Sequence, residues 1–207
     1  MSGEVESSDE IATNWAGSAA FAVADYDNDN IDELFIGTAD LYDSYFAAYD
    51  FAAESIEWQS PQDRFQTALA VKQADMNGDG HADLVGLTSG GYIEIHDVHA
   101  QSLIWRSTQL GGGVALALGD LDSDGEQEII AALSNRIVIY GRGLMGTTYL
   151  ERASIVHEGA TDLVVEDLDG DAEPEIYALT SRYWNDNAVL SAGSRSEERR
   201  VGKECRS

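Results

Sequence analysis

The chain has 207 residues, with 38 Asp and Glu against 12 Lys and Arg, a formal net charge of −26. Phosphate binding needs clustered Lys and Arg, so nucleic acid is not expected as a partner. The chain is 43% hydrophobic with four Trp, nine Tyr and five Phe, enough apolar surface for a core, and it does not read as disordered.

The N-terminal segment, residues 1–16, opens with an acidic run from Met1 to Glu10 that has no apolar stretch and is not a signal peptide. Ile11 to Trp15 is expected to be an outer strand of a neighbouring unit. No apolar run is long enough to cross a bilayer, so membrane insertion is not expected.

From residue 17 onward one pattern recurs. A short small-and-apolar strand is followed by an acidic decapeptide and then by further strands. The inner strands are expected at 20–24, 68–71, 114–118 and 162–165, as apolar runs that suit burial on both faces. Second strands are expected at 34–36, 84–87, 129–133 and 176–179, and third strands at 45–49, 92–96, 136–140 and 188–190. The alternation of Ile93, Glu94, Ile95 and His96 marks a half-buried outer strand. A fourth strand closes at least two units, at 55–58 and 102–105, each ending in a Trp, and the last unit stops after its third strand. Trp58 and Trp105 recur at one position and read as packing. Gly111 to Gly113 reads as a tight turn before an inner strand.

The decapeptides begin at Asp25, Asp75, Asp120 and Asp167, which are 50, 45 and 47 residues apart. Four short strands per unit of that length are the signature of a β-propeller blade. The expected fold is all-β: a propeller of four-stranded antiparallel blades, about four of them present. The units are residues 17–62, 63–109, 110–157 and 158–194. Residues 195–207 read like a translated sequencing-library adapter and hold the only cysteine, Cys205. The natural sequence is expected to continue past Ser194, as a larger propeller.

Each decapeptide places oxygen ligands at positions 1, 3, 5 and 9, with a backbone carbonyl at position 7. The first offers Asp25, Asp27, Asp29, Ile31 and Glu33. The second offers Asp75, Asn77, Asp79, His81 and Asp83. The third offers Asp120, Asp122, Asp124, Glu126 and Glu128. The fourth offers Asp167, Asp169, Asp171, Glu173 and Glu175. Such a set suits Ca2+, a hard cation that takes six to eight oxygens, and up to four ions are expected. Position 6 is where the chain bends, which suits Gly80 and Gly125, is tolerated by Asn30 and suits Ala172 poorly. The second loop is closest to the ideal pattern, and the fourth, with Ala172 and Pro174, is furthest from it. An EF-hand is excluded, because position 12 is Ile36, Gly86, Ala131 or Ala178 rather than Glu. Acidic turns without metal are the ordinary alternative. Four turns in register, each with an acid at position 9, favour ligands.

The motif D-x-[DN]-x-D-G-x-x-[DE]-[LI] between two apolar strands resembles the FG-GAP or VCBS repeat, the blade of integrin-alpha N-terminal-like propellers. The resemblance covers residue 17 to about residue 192. It implies a calcium-stabilised propeller on a secreted or cell-surface protein, with the aspartates and glutamates above as ligands. Asn30 and Ala172 depart from the glycine position, and Glu replaces Asp at position 9 in three loops.

No catalytic constellation is present. His96 and His99 read as a surface pair, and neither a G-x-S-x-G elbow nor a P-loop occurs. The expected function is a non-catalytic extracellular recognition or adhesion module that binds protein or glycan ligands through its loop faces. Two alternatives stand beside it. One is the accessory domain of a secreted polysaccharide-acting enzyme. The other is a structural subunit that self-associates edge to edge.

Overall fold

A computed structural model describes residues 17–39, 44–61, 67–144, 146–167, 169–180, 188–191 and 199–200. The segment expected as an outer strand, 11–15, lies outside them. Among the described residues every regular element is a strand, and the strands form four antiparallel four-stranded sheets.

Sheet one holds β1 (Gly17–Ala24), β2 (Glu33–Ala39), β3 (Phe46–Asp50) and β4 (Ser55–Gln59). Sheet two holds β5 (Ala68–Ala74), β6 (Asp83–Thr88), β7 (Ile93–Asp97) and β8 (Ser102–Arg106). Sheet three holds β9 (Gly113–Gly119), β10 (Glu128–Leu133), β11 (Arg136–Arg142) and β12 (Tyr149–Val156). Sheet four holds β13 (Ala160–Glu166), β14 (Glu175–Thr180), β15 (Ala188–Ser191) and β16 (Arg199–Arg200). Each sheet is a meander in chain order. The first strand of each sheet lies beside the first strand of the next, β1 by β5, β5 by β9, and β9 by β13.

The strand alternation puts one apolar face of each sheet against its neighbour, and the core lies in the three seams. Phe35, Phe46 and Val71 fill the first seam, Leu87, Leu116 and Ile129 the second, and Ala117, Ile130 and Leu163 the third. The seams are tight because large residues meet small ones. A Cβ on Gly86 would come within 2.2 Å of the Phe46 ring, and one on Gly113 would meet the Thr88 carbonyl. Trp58 on β4 meets His96 of sheet two at 5.0 Å between ring centroids. Trp105 on β8 meets Tyr140 of sheet three at 5.2 Å. The recurrent Trp is therefore a seam residue.

The structure departs from the sequence reading at four places. The second strands of the middle sheets, β6 and β10, are buried throughout, whereas the inner strand β5 exposes Lys72 and Gln73. In the two middle sheets the second strand has a strand on both sides and a sheet on both faces. β7 is wholly buried, including Glu94 and His96, because the pair is satisfied internally: His96 Nε2 lies 2.9 Å from Glu94 Oε2, and Arg106 Nε lies 3.1 Å from Oε1. The half-buried strand is β8. The third unit has a fourth strand, β12, that lacks the Trp signature, and the fourth unit gains the two-residue β16 within the tail set apart by its texture. The inner strands also carry a register shift near their starts, for example between Ala68 and Ala70, and the fourth strands carry an extra residue opposite Ala48/Tyr49, Ile95/His96 and Ile139/Tyr140. Apolar runs do not reveal such bulges.

The Gly86 site offers a test of the seam. Gly86→Ala should destabilise the fold by about 1–3 kcal/mol, the usual cost of overpacking. A melting temperature equal to that of the parent would show that the first seam is looser than described.

Candidate metal centres

The four acidic turns join the first and second strands of each sheet, and they share one internal framework. The position 1 carboxylate accepts backbone N–H groups across the turn. Asp25 takes those of Asp29 and Asn30 at 3.1 and 2.9 Å. Asp75 takes those of Asp79 and Gly80 at 3.2 and 2.8 Å, and Asp120 those of Asp124 and Gly125 at 3.1 and 2.9 Å. Asp167 takes that of Ala172 at 2.9 Å. The position 5 carboxylate accepts the position 7 N–H, at 2.7 Å for Asp29 and Ile31 and at 2.8 Å for Asp124 and Glu126. The same bond measures 2.9 Å in the other two turns, from His81 to Asp79 and from Glu173 to Asp171. These are charge-assisted bonds that curl the turn around its own acids.

Position 6 is left-handed in all four turns, at Asn30, Gly80, Gly125 and Ala172, with φ of 71°, 89°, 90° and 69°. Position 4 is left-handed too, at Asn28, Gly78, Ser123 and Gly170. The sequence reading missed that second bend, although a small or amide residue stands there every time. Two left-handed residues two apart draw positions 1, 3 and 5 inward.

Position 9 opens the second strand and is buried: Glu33, Asp83, Glu128 and Glu175. Its carboxylate accepts the position 2 N–H, from Tyr26 at 3.1 Å, Met76 at 2.8 Å and Leu121 at 2.8 Å. Asp83 is fully buried, and its Oδ1 has no hydrogen-bond partner among the described residues. An orphaned buried carboxylate oxygen beside an acidic turn is the arrangement a cation would satisfy.

The structure gathers some of the expected ligands and not others. Asp25, Asp27 and Asp29 place oxygens within 4.8 Å of one another, as do Asp120, Asp122 and Glu128, and Asp167, Asp169 and Glu175. These three clusters can each hold a metal ion. Glu33, Asp124 and Asp171 stay outside the triads of their turns, and Asp75, Asp79 and Asp83 form none. The position 7 residues Ile31 and Glu126 are exposed, and Glu126 directs its carboxylate to Arg142 Nη1 at 3.0 Å.

Neighbouring turns are tied together, which the sequence did not reveal. Asn28 donates to the Gly80 carbonyl at 3.2 Å, and His81 Nδ1 lies 2.8 Å from the Tyr26 carbonyl. Arg142 Nη2 donates to the Asn77 carbonyl at 2.5 Å, and the Tyr149 hydroxyl donates to that of Met76 at 2.5 Å. The rings of His81 and His99 stack at 3.8 Å. Between sheets one and two lies a cleft of about 540 Å³, lined in part by Trp58, Gln59, His96 and Gln101.

Burial pushes the Glu33 carboxyl up to about 7, with Asp27, Asp29 and Asp25 adding to the shift and the Tyr26 N–H opposing it. Burial likewise pushes Asp83 up to about 7, with Asp97, Asp79 and Asp75 adding and the Met76 N–H opposing. Glu128 is raised for the same reason. An unfolded carboxyl titrates near about 4. The metal-free folded state therefore holds protons more tightly than the unfolded one, and its stability falls as pH rises from about 4 through about 7. A bound cation favours the ionised forms and reverses the trend.

No protein-family model and no curated protein matches the chain. Solved structures do match in fold. The Bacillus licheniformis rhamnogalacturonan lyase PL11 aligns over 80% of this chain and 41% of its own, with 16% identity and a TM-score of 0.56. The V. cholerae biofilm matrix protein Bap1 aligns over 83% of this chain and 29% of its own, with 22% identity and a TM-score of 0.57. The exotype rhamnogalacturonan lyase YesX aligns over 80% and 39%, with 14% identity and a TM-score of 0.56. The chain thus spans less than half of each, and at these identities the likeness is one of fold. No helix among the described residues is long and apolar enough to cross a membrane.

The pH dependence is directly measurable. With chelator present, melting temperature should fall between about pH 5 and about pH 8, and added calcium should raise it more at the upper pH. Equal stability across that range in chelator would contradict the buried position 9 acids.

Proposed function

We propose that the chain is a calcium-stabilised β-propeller array of FG-GAP or VCBS type. In this reading it acts as a non-catalytic recognition module within an extracellular protein that engages polysaccharide. The observation that carries the reading is the convergence of three carboxylates in each of three turns. Carboxylates packed so closely repel one another unless a cation lies among them. Calcium suits the all-oxygen set, whereas magnesium keeps more water and zinc prefers His or Cys. The ion's role is structural: it cancels repulsion in the turn that joins the first two strands. Because it binds only the folded state, it stabilises by linkage.

The propeller arrangement draws support from four meander sheets whose first strands follow one another side by side. The polysaccharide setting draws support from the solved relatives. Two of them are named for rhamnogalacturonan and one for a biofilm matrix. The same relatives favour the accessory-domain setting, in which a catalytic partner lies on another part of a longer protein.

Calorimetric titration with calcium tests the metal role. Asp120→Ala combined with Asp122→Ala and Glu128→Ala should lower the stoichiometry and the melting temperature in calcium. Melting that is indifferent to chelator would end the structural-calcium reading. Electrophoresis in gels containing rhamnogalacturonan tests the recognition role. Retardation without new chain ends is expected, and chain cleavage would make the module itself catalytic.

A further inference from the structure

The second turn differs from the other three at position 3. It carries Asn77, where the others carry Asp27, Asp122 and Asp169. Its three acids form no triad, alone or with any neighbouring acid among the described residues. A fourth acid, which the decapeptide does not contain, stands beside them. Asp97 ends β7, the third strand of sheet two, and is buried.

Hydrogen bonds bring Asp97 to this turn. Asn77 Nδ2 donates to Asp97 Oδ2 at 3.1 Å and to Asp79 Oδ2 at 3.2 Å, so one amide links the strand acid to the turn acid. Asp97 Oδ1 accepts the Ala100 N–H at 2.6 Å, which fixes the carboxylate in place. The same turn holds Asp83, the fully buried acid whose Oδ1 has no hydrogen-bond partner among the described residues. A buried carboxylate with an unsatisfied oxygen, in a turn to which a second buried acid is hydrogen-bonded, is costly without a counter-charge.

The register shows that this substitution is local. Tyr49, His96 and Tyr140 pair with Leu34, Leu84 and Ile129, so Asp50, Asp97 and Gly141 occupy one position in three sheets. Sheet three has no side chain there, and its turn has Asp122 instead. In sheet one Asp50 is half-buried and caps Ala52 N–H at 2.6 Å, beside a turn that already has Asp27. An acid from the third strand is thus paired with a missing acid in the turn only in sheet two.

We propose that Asp97 is the fourth carboxylate of the second turn's cation site, standing in for the acid that Asn77 does not supply. The ligand is a divalent, oxygen-seeking cation, with calcium the probe. The inference rests on the reading of that turn as a cation site.

The test follows calcium titration of the full chain by amide resonances. Gly80 reports on the second turn and Gly125 on the third, both from position 6. Asp97→Asn keeps the acceptor for Ala100 and removes the charge. It should raise the calcium midpoint at Gly80 by about 10- to 100-fold, the usual cost of losing a supporting group at a metal site, and leave Gly125 in place. Asp50→Asn should move neither. If Asp97→Asn does not fold in chelator, Asp97→Ser, which also keeps an oxygen acceptor, takes its place. An unchanged Gly80 midpoint overturns the role of Asp97 while the turn still binds. A parent protein whose Gly80 ignores calcium while Gly125 responds overturns both the role and the second turn as a site.

Discussion

The structure depends on a carboxylate buried at the first residue of the second strand in every sheet. Glu33, Asp83, Glu128 and Glu175 open β2, β6, β10 and β14. In the first three sheets one oxygen clamps the N–H of position 2, which sets where the inner strand ends and the turn begins. Burial of that charge close to several aspartates is unfavourable by itself. The same geometry that closes the turn therefore creates the demand for a counter-charge, and in the third and fourth turns two aspartates converge on that acid.

Between sheets the governing constraint is shape. Phe46 occupies the space left by Gly86, and Leu87 lies against Gly113. His96 takes the position that Tyr140 holds in sheet three, and a buried pairing with Glu94 lets a polar ring serve there. Trp58 and His96 line a cleft, whereas Trp105 meets both Tyr140 and Tyr149.

Much of this was legible in the amino-acid order. The decapeptide spacing located all four turns, the bend at position 6, and the strands on either side. Burial was misjudged where it depends on neighbours rather than on composition: Ile93 to His96 alternates in polarity yet is wholly buried, because Glu94 finds His96 and Arg106. The bend at position 4 was readable from Asn28, Gly78, Ser123 and Gly170 but requires the turns to be compared with one another. Arg142 and Tyr149 were invisible as partners of the second turn, since they stand 65 and 73 residues from the groups they hold. Asp97 was hidden for a similar reason, since its link to Asn77 crosses from a turn to the far end of a third strand.

The ties between adjacent turns have a consequence for how such arrays diversify. The contacts at Gly80, Tyr26, Asn77 and Met76 all land on main-chain oxygens, which every amino acid carries. The receiving side of each tie is therefore blind to side-chain identity, and only the donors Asn28, His81, Arg142 and Tyr149 are committed. A repeat can drift at its accepting positions, or be copied next to a different repeat, without unfastening the row.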